Sequence, residues 1–200
     1  MISPRFILAS ASPTRKMLLE NAGLAIDISP ATIDEEEIKH SLIAEGAGAG
    51  AIAETLAEHK ANSVSRKNPG QLVIGADQVL ALEGEIFSKP VSVDAARDQL
   101  CRLRNREHLL ISSVCIAEDG KRIWHKTDAA HLWMRDFSDS FLEDYLKAAG
   151  DTVLDGPGAY RVEGPAIQLF SRISGDYFTI LGLPLLPLLD FLRTRGTLSA

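Results

Sequence analysis

The sequence feature that most constrains the fold is the stretch at residues 72–80, which reads Leu-Val-Ile-Gly-Ala-Asp-Gln-Val-Leu. The stretch follows the turn signal Asn68-Pro69-Gly70, begins as a short apolar run and reaches a carboxylate and an amide at Asp77 and Gln78. This pattern indicates a buried strand whose last residues reach a site. Ligands of open α/β sheets bind beyond the carboxyl ends of the strands. We therefore expect Asp77 to lie at the end of a central strand, beside a functional site.

Length and composition predict one domain over residues 1–200, either a plain α/β domain or one with a small second lobe. The hydrophobic fraction of 46% and the charged fraction of 24% are typical of a chain that buries a core. No apolar run approaches the roughly 20 residues of a membrane span, and the start at Met1-Ile2-Ser3-Pro4 has no signal-peptide pattern. Cys101 and Cys115 lack metal-ligand spacing. We expect a cytoplasmic protein without a membrane partner.

The net charge narrows the functional class of the protein, and the order of the predicted elements narrows its fold class. The net charge of −6 argues against nucleic-acid binding, which depends on basic residues. Strands and helices are intermixed, which predicts an α/β fold with a mixed sheet and flanking helices. The small residues at 47–50 predict a flexible segment, and the Gly- and Pro-rich residues 151–163 predict a long loop. Further strands are expected at 6–9, 25–28, 108–116, 122–134 and 167–173. Helices are expected at 13–22, 52–61 and 184–195, from a cap at Ser92 or Asp94 through Leu103, and from a cap at Ser138 to Gly150.

The helix predicted to begin at Pro13 carries two cations near its start. Ser12 is a favourable N-cap and Pro13 a favourable first residue. Arg15 and Lys16 add positive charge where the helix dipole is already positive, at about 0.3–1 kcal/mol per charge. Such a sequence suits an anion held by free backbone N–H groups, the Ser12 hydroxyl and both cations, with phosphate the usual candidate. The alternative is that both side chains extend into solvent.

Asp77 and Glu35 are the candidate carboxylates. Asp77 is suited to act as a general base on water or as a ligand of a divalent cation. Cations bound to phosphates take one or two protein carboxylates and keep several waters. Glu35 is a candidate second ligand, although acidic runs such as Asp34-Glu35-Glu36-Glu37 are usually solvated faces.

Two lysines and one amide complete the candidate set. Lys89 and Lys60 are suited to neutralise charge that develops on phosphate oxygens. An exposed position on a helix is the competing interpretation for Lys60, because lysines are mostly exposed. Gln78 is suited to read the edge of a base or to orient a water. No G-x-x-x-x-G-K-[ST] or G-x-G-x-x-G motif is present, which argues against ordinary ATPase and dinucleotide folds.

Four segments together resemble the Maf family, and the resemblance extends in order over nearly the whole chain. They are Leu8–Lys16, residues 74–79 with Lys89-Pro90, Gly158–Gly164, and Gly175-Asp176-Tyr177 with Gly182-Leu183-Pro184.

The resemblance implies a nucleoside triphosphate pyrophosphatase that releases a nucleoside monophosphate and pyrophosphate with a divalent cation, Mg²⁺ or Mn²⁺. It also implies a cytoplasmic homodimer and two lobes around a nucleotide-binding cleft, as in the house-cleaning nucleotide hydrolases. By position, Asp77 matches the proposed catalytic proton acceptor. The polar residues that line the phosphate end match Ser12, Arg15, Glu35, Lys60 and Lys89. We expect Lys16 to help hold the triphosphate.

Three further positions fall where family members differ according to the base they accept: Thr14, Gln78 and Glu163. Gln78 and Glu163 resemble the residues of the branch that acts on 7-methyl-GTP. A physical reason is that a carboxylate such as Glu163 can complement the positive charge of 7-methylguanine. The alternative is the branch that prefers dTTP and UTP.

The chain also departs from the family pattern. Thr14 stands where the 7-methyl-GTP branch often has Trp, and Lys16 stands where a second Arg is common. Gly156-Pro157 occupy the place where the dTTP/UTP branch has a Lys. The alternative from another functional class is a non-catalytic regulator of cell division and septum formation that binds nucleotide or a protein partner. A glycosidase with paired carboxylates lacks support.

Overall fold

A computed structural model describes residues 5–199. The expectation for the start of the chain rests on residues 1–4 and lies outside this range. The described residues form strands β1 Arg5–Leu8, β2 Ala25–Ile28, β3 Val73–Leu82, β4 Glu85–Phe87, β5 Glu107–Glu118, β6 Lys121–Met134 and β7 Phe170–Ser174. The helices are α1 Pro13–Asn21, α2 Glu35–Ala44, α3 Ala49–Ser65, α4 Val93–Leu103, α5 Asp139–Ala149, α6 Tyr177–Ile180 and α7 Leu185–Thr194.

All seven strands belong to one mixed sheet. The strand order is β2-β1-β3-β5-β6-β7, and β4 pairs with β3. β1 is parallel to both β2 and β3, whereas β4 and β7 pair antiparallel with β3 and β6. The predicted fold class, a mixed sheet with helices, is confirmed.

The chain divides into two compact units. Unit 1 contains the residues up to Gln78, Ile111–Asp128 and the residues from Asp176 onward. Unit 2 contains Val79–Leu110 and Ala129–Gly175. The strands β3, β5 and β6 each contribute residues to both units.

In unit 1, β3 lies directly against α3. The apolar residues of α3 recur at intervals of three and four, which produces one buried face. A Cβ at Gly75 would lie 2.7 Å from the backbone nitrogen of Ala61 on this helix. No larger residue fits there without moving the helix, so Gly75 sets how closely β3 approaches α3. The buried small residues of this layer are Ala57, Ala61, Cys115 and Ala117.

Unit 2 has its own core. Buried leucines of α4 and α5 point inward, among them Leu100, Leu103 and Leu142. His108 on β5 is also buried and lies against the rings of Tyr160 and Phe170. This position is typical of a structural residue.

The position of Asp77 differs from the prediction in one respect. Asp77 does not end a strand, because β3 continues to Leu82. The residues after Gln78 remain buried, and Leu80–Leu82 pair with β4. The apolar pattern therefore identified the strand but placed its end five residues too early.

Three predicted segments have different bounds in the structure. The small-residue segment at 47–50, predicted to be flexible, contains the N-cap of α3 at Gly48 and the first helical residues from Ala49. The loop predicted at 151–163 begins within a 3₁₀ helix, Gly150–Leu154. The strand predicted from residue 167 begins at Phe170, after a second 3₁₀ helix, Pro165–Leu169. Among residues 5–199, no helix is long and apolar enough to cross a membrane.

Candidate functional site

A buried lysine joins two carboxylates in unit 1. The Lys60 Nζ on α3 donates to Asp77 Oδ1 at 2.7 Å and to Glu35 Oε2 at 2.8 Å. Lys60 is 6% exposed and Asp77 is 7% exposed, so this ion pair is largely shielded from water. The interpretation of Lys60 as an exposed helix lysine was therefore wrong. The side chain of Asp77 faces α3 because Asp77 lies two residues after Gly75 on the same face of β3.

Glu35 reaches this cluster from the start of α2. The side chain of Asp34 caps the helix by accepting a hydrogen bond from the backbone N–H of Glu37 at 3.0 Å. Acidic residues in a first turn are favoured by the helix dipole. Glu35, Glu36 and Glu37 are all exposed, as expected for a solvated acidic run, and Glu35 also accepts a hydrogen bond from Lys60.

Arg15 is buried beneath the cluster and donates to main-chain groups. Its Nε donates to Gly182 O at 2.9 Å, and its Nη1 donates to Ala76 O at 2.9 Å and to Ser10 Oγ at 3.2 Å. Burial lowers the pKa of Arg15, and the negative charges of Asp77 and Glu35 oppose this effect. The suggestion that Arg15 extends into solvent was wrong. In this structure Arg15 braces the strand residue that precedes Asp77.

The other residues at the start of α1 are more exposed. Ser12 is the N-cap, and its Oγ accepts a hydrogen bond from the backbone N–H of Arg15 at 3.3 Å. Lys16 is exposed and lies 3.7 Å from Glu20 Oε1, a surface pair one helical turn away. Thr14 is half-buried. The predicted cap is confirmed, whereas anion binding at this helix start stays a prediction.

Gln78 is held by groups that the sequence did not identify as functional. Its Nε2 donates to Ser112 Oγ at 3.1 Å, Thr179 O at 3.2 Å and Ile180 O at 2.9 Å. Ser112 and Thr179 are 0% exposed. No sequence motif marks Ser112, because a buried serine inside an apolar strand has no distinctive spacing.

Lys89 and Glu163 belong to unit 2, and both are exposed. Lys89 follows β4, and Glu163 lies in a turn just before the second 3₁₀ helix. Within residues 5–199, neither side chain makes a hydrogen bond or an ion pair with another residue. The structure thus brings Glu35, Lys60 and Asp77 into one cluster, and it leaves the roles of Lys89 and Glu163 as predictions.

Comparisons with known proteins identify the family of the chain. The family model described as "Maf-like protein" matches residues 5–195. The chain belongs to the Maf family. A nucleoside triphosphate pyrophosphatase from Paramagnetospirillum magneticum is 50% identical over 192 residues, covering 96% of this chain and 99% of that protein. A 7-methyl-GTP pyrophosphatase from Brucella abortus is 50% identical over 189 residues, covering 94% of this chain and 95% of that protein.

Among solved structures, one match is the crystal structure of a nucleoside-triphosphatase, named dITP/XTP pyrophosphatase, from Mycobacterium abscessus. It matches at a TM-score of 0.45 and 13% sequence identity, over 96% of this chain and 94% of that chain.

The acidic residues of this Maf chain meet the requirements of a divalent cation only in part. No group of three or more His, Cys, Asp or Glu residues that could hold a metal ion occurs in the described part of the chain. Asp77 and Glu35 are nevertheless held on one ammonium group, and each has a second carboxylate oxygen. A cation that arrives with a triphosphate needs only one or two protein carboxylates. The pair therefore fits a cation that shares its ligands with substrate phosphates, and it does not fit a closed all-protein site.

Proposed function

We propose that the chain is a nucleoside triphosphate pyrophosphatase, which hydrolyses its substrate to a nucleoside monophosphate and pyrophosphate. The observation that carries the proposal is the buried Asp77 carboxylate, oriented by Lys60. A buried charge is costly unless it is paired, and a protein that only binds nucleotide has no need of a placed base. Membership of the Maf family and the names of the two relatives support the same activity.

In this proposal Asp77 accepts a proton from a water molecule as the water attacks the α-phosphorus in line. The bond between the α-phosphorus and the bridging oxygen breaks, and pyrophosphate leaves. Lys60 holds the carboxylate in place through its 2.7 Å hydrogen bond. Arg15 fixes the adjacent backbone through Ala76 O, so the position of the base relative to α1 is also set.

The charge of the triphosphate is neutralised by cations of the chain, which we assign to Lys16 and Lys89, with Ser12 and Arg15 at the start of α1. Asp77 and Glu35 would hold a Mg²⁺ or Mn²⁺ ion, which would supply positive charge to the phosphate oxygens. General-base catalysis of this type contributes roughly 10²- to 10⁴-fold to a rate.

For the base, we propose 7-methyl-GTP as the first candidate and dTTP or UTP as the second. Gln78 and Glu163 support the first candidate, as does the name of the Brucella relative. We further propose a cytoplasmic homodimer without nucleic-acid or membrane partners. The net charge of −6 and the two free cysteines, Cys101 and Cys115, are compatible with that setting.

The test is Mg²⁺-dependent pyrophosphate release from a panel that includes 7-methyl-GTP, dTTP and UTP. The variant Asp77→Asn is expected to lose roughly 10²- to 10⁴-fold in kcat while still binding nucleotide. Asp98→Asn, which changes an exposed carboxylate on α4, is the matched control. A normal rate for Asp77→Asn would refute the assigned base. Release from no nucleotide at all would favour the septum-formation regulator.

A further inference from the structure

The orientation of the Gln78 side-chain amide is dictated by its surroundings. Two of its three partners, Thr179 O and Ile180 O, are carbonyl oxygens and can only accept a hydrogen bond. The nitrogen and oxygen of an amide are often hard to distinguish, and the hydrogen-bond network must assign them. With two carbonyls on one side, the amide nitrogen must face them. Oε1 therefore points away from this set of partners.

Ser112 reinforces the same orientation. Its hydroxyl donates to Thr179 O at 2.7 Å, so its oxygen is left to accept from Gln78 Nε2. The backbone N–H of Thr179 is held in turn by Asp176 Oδ1 at 2.9 Å, and its hydroxyl reaches Asp128 Oδ2 at 3.3 Å. All three chain segments of unit 1 contribute to this network: Gln78 from the first, Ser112 and Asp128 from the second, and Asp176 from the third.

The acceptor atom of Gln78 is left for a ligand. Gln78 is half-buried, and within the described residues Oε1 accepts no hydrogen bond. Gly182 adds no side chain beside it, since a Cβ there would lie 3.7 Å from Oε1. Gly182 also has a φ of +91°, which disfavours other residues at this position. The glycine thus leaves Oε1 without a side-chain neighbour at this position, where the Arg15 guanidinium is the other nearby group.

The side chains of Gln78 and Asp77 are placed to contact different parts of a ligand. Successive side chains of a strand point to opposite faces of the sheet. Asp77 contacts α3 through Lys60, whereas Gln78 contacts β5 and α6 through Ser112, Thr179 and Ile180. Gln78 is thus not placed on the face where the Asp77 carboxylate would activate a water.

We propose that Ser112 and the backbone of Thr179 lock Gln78 as a pure hydrogen-bond acceptor, which selects a nucleobase carrying a ring N–H donor. The inference rests on the proposed function. Guanine and 7-methylguanine carry such a donor at N1, and uracil and thymine carry it at N3. Ser112 is a positioning residue in this scheme, because it acts on the base only through Gln78.

The inference predicts discrimination against bases whose ring N–H is methylated. The probes are two pairs: 7-methyl-GTP with 1,7-dimethyl-GTP, and UTP with 3-methyl-UTP. A buried acceptor that loses its donor costs about 10- to 100-fold in affinity, and a site built around that hydrogen bond rejects the analogue accordingly. We expect kcat/KM of the wild type to favour the unmethylated member of its preferred pair by about that factor.

Variants separate the hydrogen bond from the bulk of the methyl group. In Gln78→Met the acceptor is gone but the steric effect of the methyl group persists, so the ratio within a pair should fall about tenfold. Ser112→Ala should lower the ratio several-fold while the two carbonyls still hold the amide. Ser113→Ala is the matched control. It removes an equally buried neighbouring hydroxyl that bonds Thr127 and Lys126 instead of Gln78, and should leave the ratio unchanged.

Dissociation constants for the same nucleotides, measured without divalent cation, distinguish failure of the proposed pyrophosphatase activity from failure of the proposed role of Gln78. Hydrolysis with an unchanged ratio in Gln78→Met, or equal ratios in Ser112→Ala and Ser113→Ala, would overturn the role of Gln78 and leave the activity standing. Binding that discriminates within a pair, without hydrolysis, would overturn the activity and support Gln78 as an acceptor. Neither hydrolysis nor discriminating binding would overturn both. If Gln78→Met does not fold, the comparison of the two serine variants decides.

Discussion

The two units of the chain differ in the polar side chains that they bury. Among the described residues, every buried polar or charged residue lies in unit 1, except His108. Unit 1 buries the full charges of Arg15, Lys60 and Asp77 and pairs them with hydrogen-bond partners. Unit 2 buries His108 against Tyr160 and leaves its candidate charges, Lys89 and Glu163, on the surface.

The electrostatic consequences differ accordingly. In unit 2, burial lowers the pKa of His108 to about 4, opposed only by the charge of Glu107. Burial also raises the pKa of Tyr145 to about 12 and that of Tyr160 well above its ordinary value. These groups are neutral at physiological pH, which suits a structural role. In unit 1 the buried Lys60 and Asp77 are instead paired with each other, which offsets the cost of removing them from water.

The largest loss of stability is expected when the Lys60 ammonium group is removed from the centre of the unit 1 cluster. In Lys60→Met, Asp77 and Glu35 lose their shared partner, and Asp77 becomes an unpaired buried charge. Breaking a buried ion pair costs roughly 3–5 kcal/mol. We expect a loss of this size in the free energy of unfolding, measured with urea, and a strong loss of pyrophosphate release.

Two controls separate stability from chemistry. Lys60→Met combined with Asp77→Asn removes both charges, so it should be more stable than Lys60→Met alone while staying inactive. Lys147→Met removes an exposed lysine on α5 and should change stability by no more than about 0.5 kcal/mol. Equal stability of Lys60→Met and Lys147→Met would contradict the importance of the buried pair.

The sequence predicted the local parts of this cluster but not its assembly. The apolar run before Asp77, the Ser12 cap and α1 were all identified, because each depends on neighbouring residues. The burial of Lys60 was not, since it depends on the contact between β3 and α3 that Gly75 permits.

Helix α2 was missed for a related reason. None of its residues is buried, so it lacks the apolar stripe by which helices are found in a sequence. The proximity of Glu35 to Lys60, 25 residues further along the chain, is likewise a tertiary contact that spacing does not encode. Local periodicity can predict such elements only where one face is packed against a core.

The hydrogen-bonded pair of His108 and Tyr160 in unit 2 provides the next test, which uses the dependence of stability on pH. Unfolded histidine has an ordinary pKa of 6.5, and folded His108 has a pKa of about 4. Between these values the unfolded chain binds a proton that the folded chain does not, so stability falls as the pH decreases. The full effect amounts to roughly 3 kcal/mol. It is present above pH 6.5 and lost by about pH 4.

The double variant His108→Phe with Tyr160→Phe removes this titration without leaving the Tyr160 hydroxyl unpaired. Urea unfolding at several pH values between 4 and 7 should show a shallower loss of stability than in the wild type. His40→Gln, which changes an exposed histidine on α2, should follow the wild-type curve. If the double variant also followed that curve, neutral burial of His108 would be disproved.

The smallest effect on stability, and the sharpest contrast with Lys60, is expected for the exposed lysine of unit 2. Lys89→Gln removes a charge that forms no hydrogen bond or ion pair with a described residue, so the free energy of unfolding should change by no more than about 0.5 kcal/mol. If Lys89 contacts substrate phosphates, losing one charge-assisted hydrogen bond should lower kcat/KM by about tenfold. The measurement pairs thermal unfolding with pyrophosphate release, and Lys147→Gln serves as the control. Unchanged kcat/KM in Lys89→Gln would confine the phosphate-binding cations to unit 1.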